Sequence, residues 1–241
     1  MLSTTSENAA ADEPTKQPAA AIASKESAKK GPSAQKILNE LLAGNERFVA
    51  GNSKHPHESA TWRNKLEASQ KPKAVILGCA DSRVPPEIVF DQGLGDLFVI
   101  RVAGNIVDSD VIASVEYAVD HLDTPLVVVL GHTHCGAVTA AYDMHQHPRE
   151  TDEIKSLLYR IKPSFYGVDK SADRETQINQ GVHRNVERSV RRLKQVPDLM
   201  KSLIEEHDLR IVGAVYDLHT GKVDLTRKPK AKQAAAIAEK K

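Results

Sequence analysis

Residues Leu126 to Gly136 read Leu-Val-Val-Val-Leu-Gly-His-Thr-His-Cys-Gly, and this stretch decides the fold. Its first half, Leu126 to Gly131, is a short, continuous apolar run rich in valine. Such a run fits a strand covered on both faces, as in the parallel sheets of α/β proteins. Its second half passes through two histidines and a cysteine into a helix expected from Cys135 to about Met144. In open parallel sheets, ligands bind just beyond strand ends of this kind.

Working outward, Ala74 to Gly78 (AVILG) is a second buried strand and Leu97 to Val102 (LFVIRV) a third. Arg210 to Tyr216 (RIVGAVY) is a fourth, followed by a turn at His219 to Gly221 and a short strand. Between them the apolar spacing switches to the helical period. Ile37, Leu38, Leu41, Leu42 and Phe48 share one helix face, which Gly51 and Asn52 end. Asp108 or Ser109 caps a helix running through Leu122. A basic amphipathic helix runs from Gly181 to Leu193, and Pro197 interrupts it before a further helical stretch to Glu206. Strands alternating with helices predict an α/β fold: a mainly parallel sheet of four or five strands flanked by helices. That domain spans 34–226. Residues 1–33 and 227–241 are too poor in large aliphatics to offset their ordering entropy, and both are expected to be disordered tails.

The bulk composition of the 241-residue chain narrows its partners. A formal charge of +1 gives no global attraction for nucleic acid, and 4% aromatics leave little for base stacking. No apolar run is long enough to span a bilayer. The start of the chain lacks the basic and apolar regions of a secretory signal, so a cytoplasmic protein is expected, or a periplasmic one if a leader has been removed.

The chain has two cysteines, Cys79 and Cys135. A disulfide, two buried core thiols and metal ligation all fit that count. Their neighbours favour the last. His132 and Cys135 are three residues apart where a strand turns into a helix, so both side chains can converge on one point. Cys79 follows the strand Ala74 to Gly78 and can supply a third arm. Two thiolates and an imidazole suit zinc and leave a tetrahedral ion one open position, the catalytic pattern. A chance pair of core thiols remains compatible with the spacing. In Cys79-Ala-Asp81-Ser-Arg83, the carboxylate can reach that open position and the guanidinium can hold it ionised. The plainer reading of Asp81 and Arg83 is a surface ion pair of little energetic weight.

Taken together, Cys79-Ala-Asp81-Ser82-Arg83-Val-Pro, Arg101-x-Ala-Gly-Asn105, Glu116-Tyr117-Ala118, Gly131-His132-Thr-His-Cys135-Gly136 and Val-Tyr216-Asp-Leu-His-Thr-Gly221 resemble the β-class carbonic anhydrases in order and spacing. The likeness runs from about Ala34 to Leu225. It implies a zinc lyase that interconverts carbon dioxide and bicarbonate, with one zinc per subunit on Cys79, His132 and Cys135. Asp81 and Arg83 would be the catalytic dyad. Gln70 and the Gly136 amide would bind substrate oxygens, with Phe98 and Tyr117 lining the apolar pocket. The resemblance also implies a homodimer or homotetramer, with sites near the dimer interface and an N-terminal helical arm packing on a neighbouring subunit. Some members hold a regulatory bicarbonate with Trp, Arg and Tyr. Arg101 and Tyr216 match two of these, but Ile76 stands where the Trp belongs, so that pocket is not expected. His134, His145 and His147 are candidate proton shuttles. Three other readings remain: hydrolysis of carbonyl sulfide or carbon disulfide, a non-catalytic zinc-stabilised module, and redox signalling through a Cys79 to Cys135 disulfide, which can coexist with catalysis.

Overall fold

The computed structural model describes residues 32–144, 150–196 and 209–227. Nearly all of both expected tails, the helical stretch from Pro197 to Glu206, and His145 and His147 lie outside the described residues.

Five strands form one sheet in the order β2-β1-β3-β4-β5. They are β1 (Ala74–Gly78), β2 (Leu97–Arg101), β3 (Leu126–His132), β4 (Arg210–Tyr216) and β5 (Val223–Leu225). The first four in spatial order run parallel, and β5 closes the far edge antiparallel to β4. This is the α/β architecture expected from the alternating pattern.

Every residue of β1 and β3 is buried. Successive side chains point to opposite faces, so a strand covered on both sides has no polar positions to spare. Ala74, Ile76, Leu126, Val128 and Leu130 face one core, which helix α1 (Ala34–Val49) covers with Ile37, Leu38 and Leu41. Val75, Leu77, Val127 and Val129 face the other. That second core is covered by α4 (Ser109–Leu122), α5 (Gly136–Tyr142), α6 (Asp152–Ile161) and α7 (Arg174–Lys194). Two short helices, α2 (Ala60–Lys65) and α3 (Pro86–Val89), complete the described set. None of these helices is long and apolar enough to cross a membrane. The first helix thus packs its apolar face on the sheet of its own chain.

The caps explain several boundaries. Asp108 accepts from the Val111 N–H and starts α4, as expected. Helix α7 begins at Arg174, seven residues before the expected start at Gly181, because Asp173 caps it through the Thr176 N–H. Helix α6, capped by Thr151, has no counterpart in the expected elements. Its Leu158 and Ile161 are buried, and with Ile154 and Leu157 they show the helical spacing that would have identified it.

Helix α7 lies unusually close to the sheet. A Cβ on Gly131 would stand 2.5 Å from one methyl of Val186, and one on Gly213 would stand 2.7 Å from the other. Glycines on two neighbouring strands therefore let Val186 settle between them. That contact fixes the helix beside the C-terminal strand ends.

Candidate metal centre

The chain leaves β1 toward β2 on one side and later returns to β3 on the other, so the strand order reverses between β1 and β3. A crevice opens at such a reversal. Gly78 is level with Leu130, which places Cys79 beside Gly131 and within one residue of His132. The register alone thus brings ligands far apart in sequence to one height. Cys135 follows three residues later, at the position just before α5.

Cys79, His132 and Cys135 are all buried, and one ligand atom from each lies within 4.8 Å of the others. The two sulfurs are 3.9 Å apart. Two thiolates on one tetrahedral zinc, with bonds of about 2.3 Å, would stand about 3.8 Å apart. Nδ1 of His132 lies 2.9 Å from the Thr133 carbonyl and must donate to it, leaving the Nε2 lone pair toward the sulfurs. That Nε2 is buried without a hydrogen-bond partner. A fully buried acceptor with nothing to accept is costly. A metal ion is the group that this donor set and this unpaired nitrogen fit.

One of the two sulfurs is held for ionisation. The Cys135 thiol donates to Cys79 against the penalty of burial, and the Gly104 N–H adds to it; together they hold the Cys79 thiol well below its ordinary value. Cys135, its neighbour in that hydrogen bond, is pushed up by Cys79 and by burial, while the amides of Val138 and Ala137 at the start of α5 oppose the rise. One cation between the two sulfurs would favour both thiolates at once.

Asp81 sits at the rim, with Oδ2 3.8 Å from His132 Nε2. Arg83 grips it in a fork, Nε to Oδ1 at 2.9 Å and Nη2 to Oδ2 at 2.8 Å, while its backbone N–H reaches Oδ1 at 3.0 Å. The Arg83 hydrogen bond holds the Asp81 carboxyl well below the usual carboxylate range. Arg83 Nη2 also reaches the carbonyl of His134, whose backbone is left-handed (φ 54°). Gly136 is exposed beside Cys135, and a Cβ there would meet nothing within 4 Å. As the first residue of α5, its N–H has no intrahelical partner and is free to donate.

The remaining candidates do not reach this point within one chain. Phe98 is level with Val75, four residues before Cys79, or roughly 13 Å along the strand. Tyr117 accompanies Phe98, their rings 6.4 Å apart, and is 49% exposed. Gln70 is exposed and precedes β1, beyond the strand end opposite Cys79. Arg101 clamps the site from below, donating to the Cys79 carbonyl at 2.9 Å and the Asp81 carbonyl at 2.5 Å. Ile76 is fully buried in the core. Sequence reasoning missed the clamp by Arg101 and the Gly104 N–H on Cys79, although both lie in the Arg101-x-Ala-Gly-Asn105 motif it singled out.

The carbonic anhydrase family model matches residues 74–223. Carbonic anhydrase 2 of Mycobacterium tuberculosis is 44% identical over 186 residues, covering 77% of this chain and 89% of that protein. The carbonic anhydrase of Mycolicibacterium smegmatis is 40% identical over 188 residues, with the same coverage of 77% and 89%. Among solved structures, the Coccomyxa β-carbonic anhydrase in complex with acetazolamide aligns with a TM-score of 0.64 at 26% identity, covering 86% of this chain and 92% of that one. A tetrameric β-carbonic anhydrase from Sordaria macrospora gives 0.63 at 25% identity, covering 79% and 96%. The chain therefore belongs to the β-class carbonic anhydrase family and is an enzyme of that activity, a carbonate dehydratase.

Proposed function

We propose that this chain hydrates carbon dioxide reversibly to bicarbonate at one zinc ion per subunit, held by Cys79, His132 and Cys135. The unpaired, buried Nε2 of His132 beside two buried sulfurs carries the reading. When bound, zinc supplies a Lewis acid that lets a water give up a proton near neutral pH.

The chain's own groups do the rest. Asp81, kept ionised by the Arg83 fork, accepts a hydrogen bond from the attacking water and so turns its lone pair toward the substrate carbon. Arg83 holds that carboxylate in place and is itself tied to the His134 carbonyl. The Gly136 N–H donates to the oxygen that gains charge as the carbon is attacked. Exposed His134 then stands near enough to the rim to pass the released proton to buffer.

The apolar side of the pocket comes from a second copy of the chain. Phe98, Tyr117 and Gln70 lie at the strand ends opposite the metal ligands, and β2 is an edge strand paired only with β1 among the described residues. A homodimer that brings these residues over the partner's metal site would complete the pocket, with Gln70 donating to the second substrate oxygen. A further pairing would give a tetramer. The Asp81–Arg83 fork speaks against a non-catalytic module, which needs ligands but no oriented carboxylate.

Metal analysis alongside stopped-flow hydration of carbon dioxide tests the reading. About one zinc per chain is expected, with activity lost on chelation and regained on adding zinc. Full turnover by metal-free protein would overturn it.

A further inference from the structure

Behind the ligands lies a buried polar layer that the proposed chemistry does not use. The turn Ala103–Asn105 follows β2, and Gly104 within it has a left-handed backbone (φ 68°). The Gly104 N–H donates to Cys79 Sγ at 3.3 Å. The Gly104 carbonyl accepts from Asn185 Nδ2 at 2.7 Å, and the Asn105 carbonyl accepts from Ser189 Oγ at 2.9 Å. Ser164 Oγ donates to Asn185 Oδ1 at 3.3 Å.

Asn185, Ser189 and Ser164 are at most 5% exposed. Asn185 and Ser189, four residues apart, share the face of α7 that otherwise presents Ile178, Val182 and Leu193 to the core. Polar side chains on such a face are costly unless they are fully partnered, and both spend their donors on one turn. Gly104 itself has no room for a side chain to anchor it, because a Cβ there would stand 2.6 Å from Ile161 Cδ1. Besides the Asn105 N–H bond to the Val102 carbonyl, the turn is held through its two carbonyls from α7.

We propose that Asn185 is a positioning residue for the Cys79 metal ligand: by holding the Gly104 carbonyl, with Ser189 on the next one, it keeps the Gly104 N–H on the sulfur. The inference rests on the zinc reading given above. An N–H donated to a thiolate draws negative charge from the sulfur, stabilises the deprotonated ligand and leaves the ion more electron-poor. In a site with two thiolates, which feed the ion more charge than imidazoles do, that withdrawal acts directly on the ion's power to acidify water.

The test substitutes cobalt for zinc and compares the unaltered protein with Asn185→Ala, Ser164→Ala and Leu193→Ala. Leu193 is buried on the same helix, eight residues from Asn185, and has no hydrogen-bonding side chain, so its variant reports the effect of lost packing. Asn185→Ala is expected to move the thiolate-to-cobalt charge-transfer band to longer wavelength and to release zinc to a chelator about tenfold faster or more. Ser164→Ala should move both in the same direction by less. Leu193→Ala should lower the melting temperature and leave the band in place. A band and a release rate in Asn185→Ala that move no further than in Leu193→Ala would overturn the proposal, and if Asn185→Ala does not fold, the same two readouts in Ser164→Ala decide. Unaltered protein with no thiolate-to-cobalt band would sink the zinc reading and this inference with it, whereas a normal band there and an unmoved one in the variants sinks the inference alone.

Discussion

At the scale of single residues, the site depends on a carboxylate that does not touch the ligands covalently and yet faces the place where they converge. Asp81 is fixed by three hydrogen bonds from Arg83 and held well below the usual carboxylate range, so it stays an acceptor throughout the neutral range. Asp81→Asn keeps the shape and loses the charge. Zinc content should remain near that of the unaltered protein, while hydration of carbon dioxide measured by stopped flow falls by about a hundredfold or more. Near-normal turnover with full metal would remove Asp81 from the reaction. Most of this site was legible in the sequence, since Cys79-Ala-Asp81-Ser-Arg83 and His132-Thr-His-Cys135 carry their chemistry in side-chain identity. The Gly104 N–H was not legible. It is a backbone donor aimed by a left-handed turn, and no residue type announces where a backbone donor points.

At the scale of elements, two contacts set how the strands and helices sit. Gly213 exists so that Val186 of α7 can lie against β4, with only 2.7 Å available where a Cβ would stand. Gly213→Ala should cost about 1–3 kcal/mol of stability through overpacking, read as a lower denaturation midpoint in urea. The second contact anchors the segment before β1 to the loop before β2. Asp96, 4% exposed, binds Lys73 at 3.0 Å and His57 at 2.7 Å and accepts from the Gly93 N–H at 3.0 Å. Burial alone would raise its pKa, but the Gly93 amide, Lys73 and His57 outweigh it and the carboxyl is held below its ordinary value. A carboxyl depressed in the folded state stabilises the fold above its unfolded value of about 3.9, and that contribution is lost as pH falls through the folded value. Asp96→Asn should therefore be less stable than the unaltered protein at pH 7, and the gap should narrow below about pH 4; a gap of constant size across that range would show that the charge of Asp96 plays no part.

The elements themselves were read unevenly, for physical reasons. Continuous apolar runs revealed β1 and β3 because both are covered on two faces. The apolar stripe revealed α1 and α4. The first turn of α7 is polar (Arg174, Glu175, Thr176, Gln177) and marked only by the capping Asp173, and Ile178 stands alone in the second, so the stripe beginning at Val182 placed its start late.

At the scale of the whole molecule, the candidate residues of one chain fall into two groups: the buried cysteines and His132 lie at one end of the sheet, and Gln70, Phe98 and Tyr117 at the other. The sequence motifs name these residues as one group without saying whether they lie at one end of the sheet or at both, because spacing along a chain does not reveal which end of a strand a neighbour covers. Complementation tests the shared site. Asp81→Asn and Gln70→Ala chains, each weak alone, should regain activity when unfolded together and refolded, since a mixed dimer has one site with neither substitution. Random pairing restores about a quarter of the sites. No recovery on mixing would place both residues in the site of a single chain.

The adjacency of β1 and β3 also orders events during synthesis. Cys79 and Cys135 are separated by 56 positions, with all of β2 and α4 between them. As the nascent chain leaves the ribosome, the first thiol is alone until the partner strand docks, and such non-local parallel pairing is slow to form. A metal ion that needs both thiols therefore cannot begin the assembly of this domain. It would seal a sheet already built, so the moment of metal uptake in a refolding experiment should date the arrival of β3 beside β1.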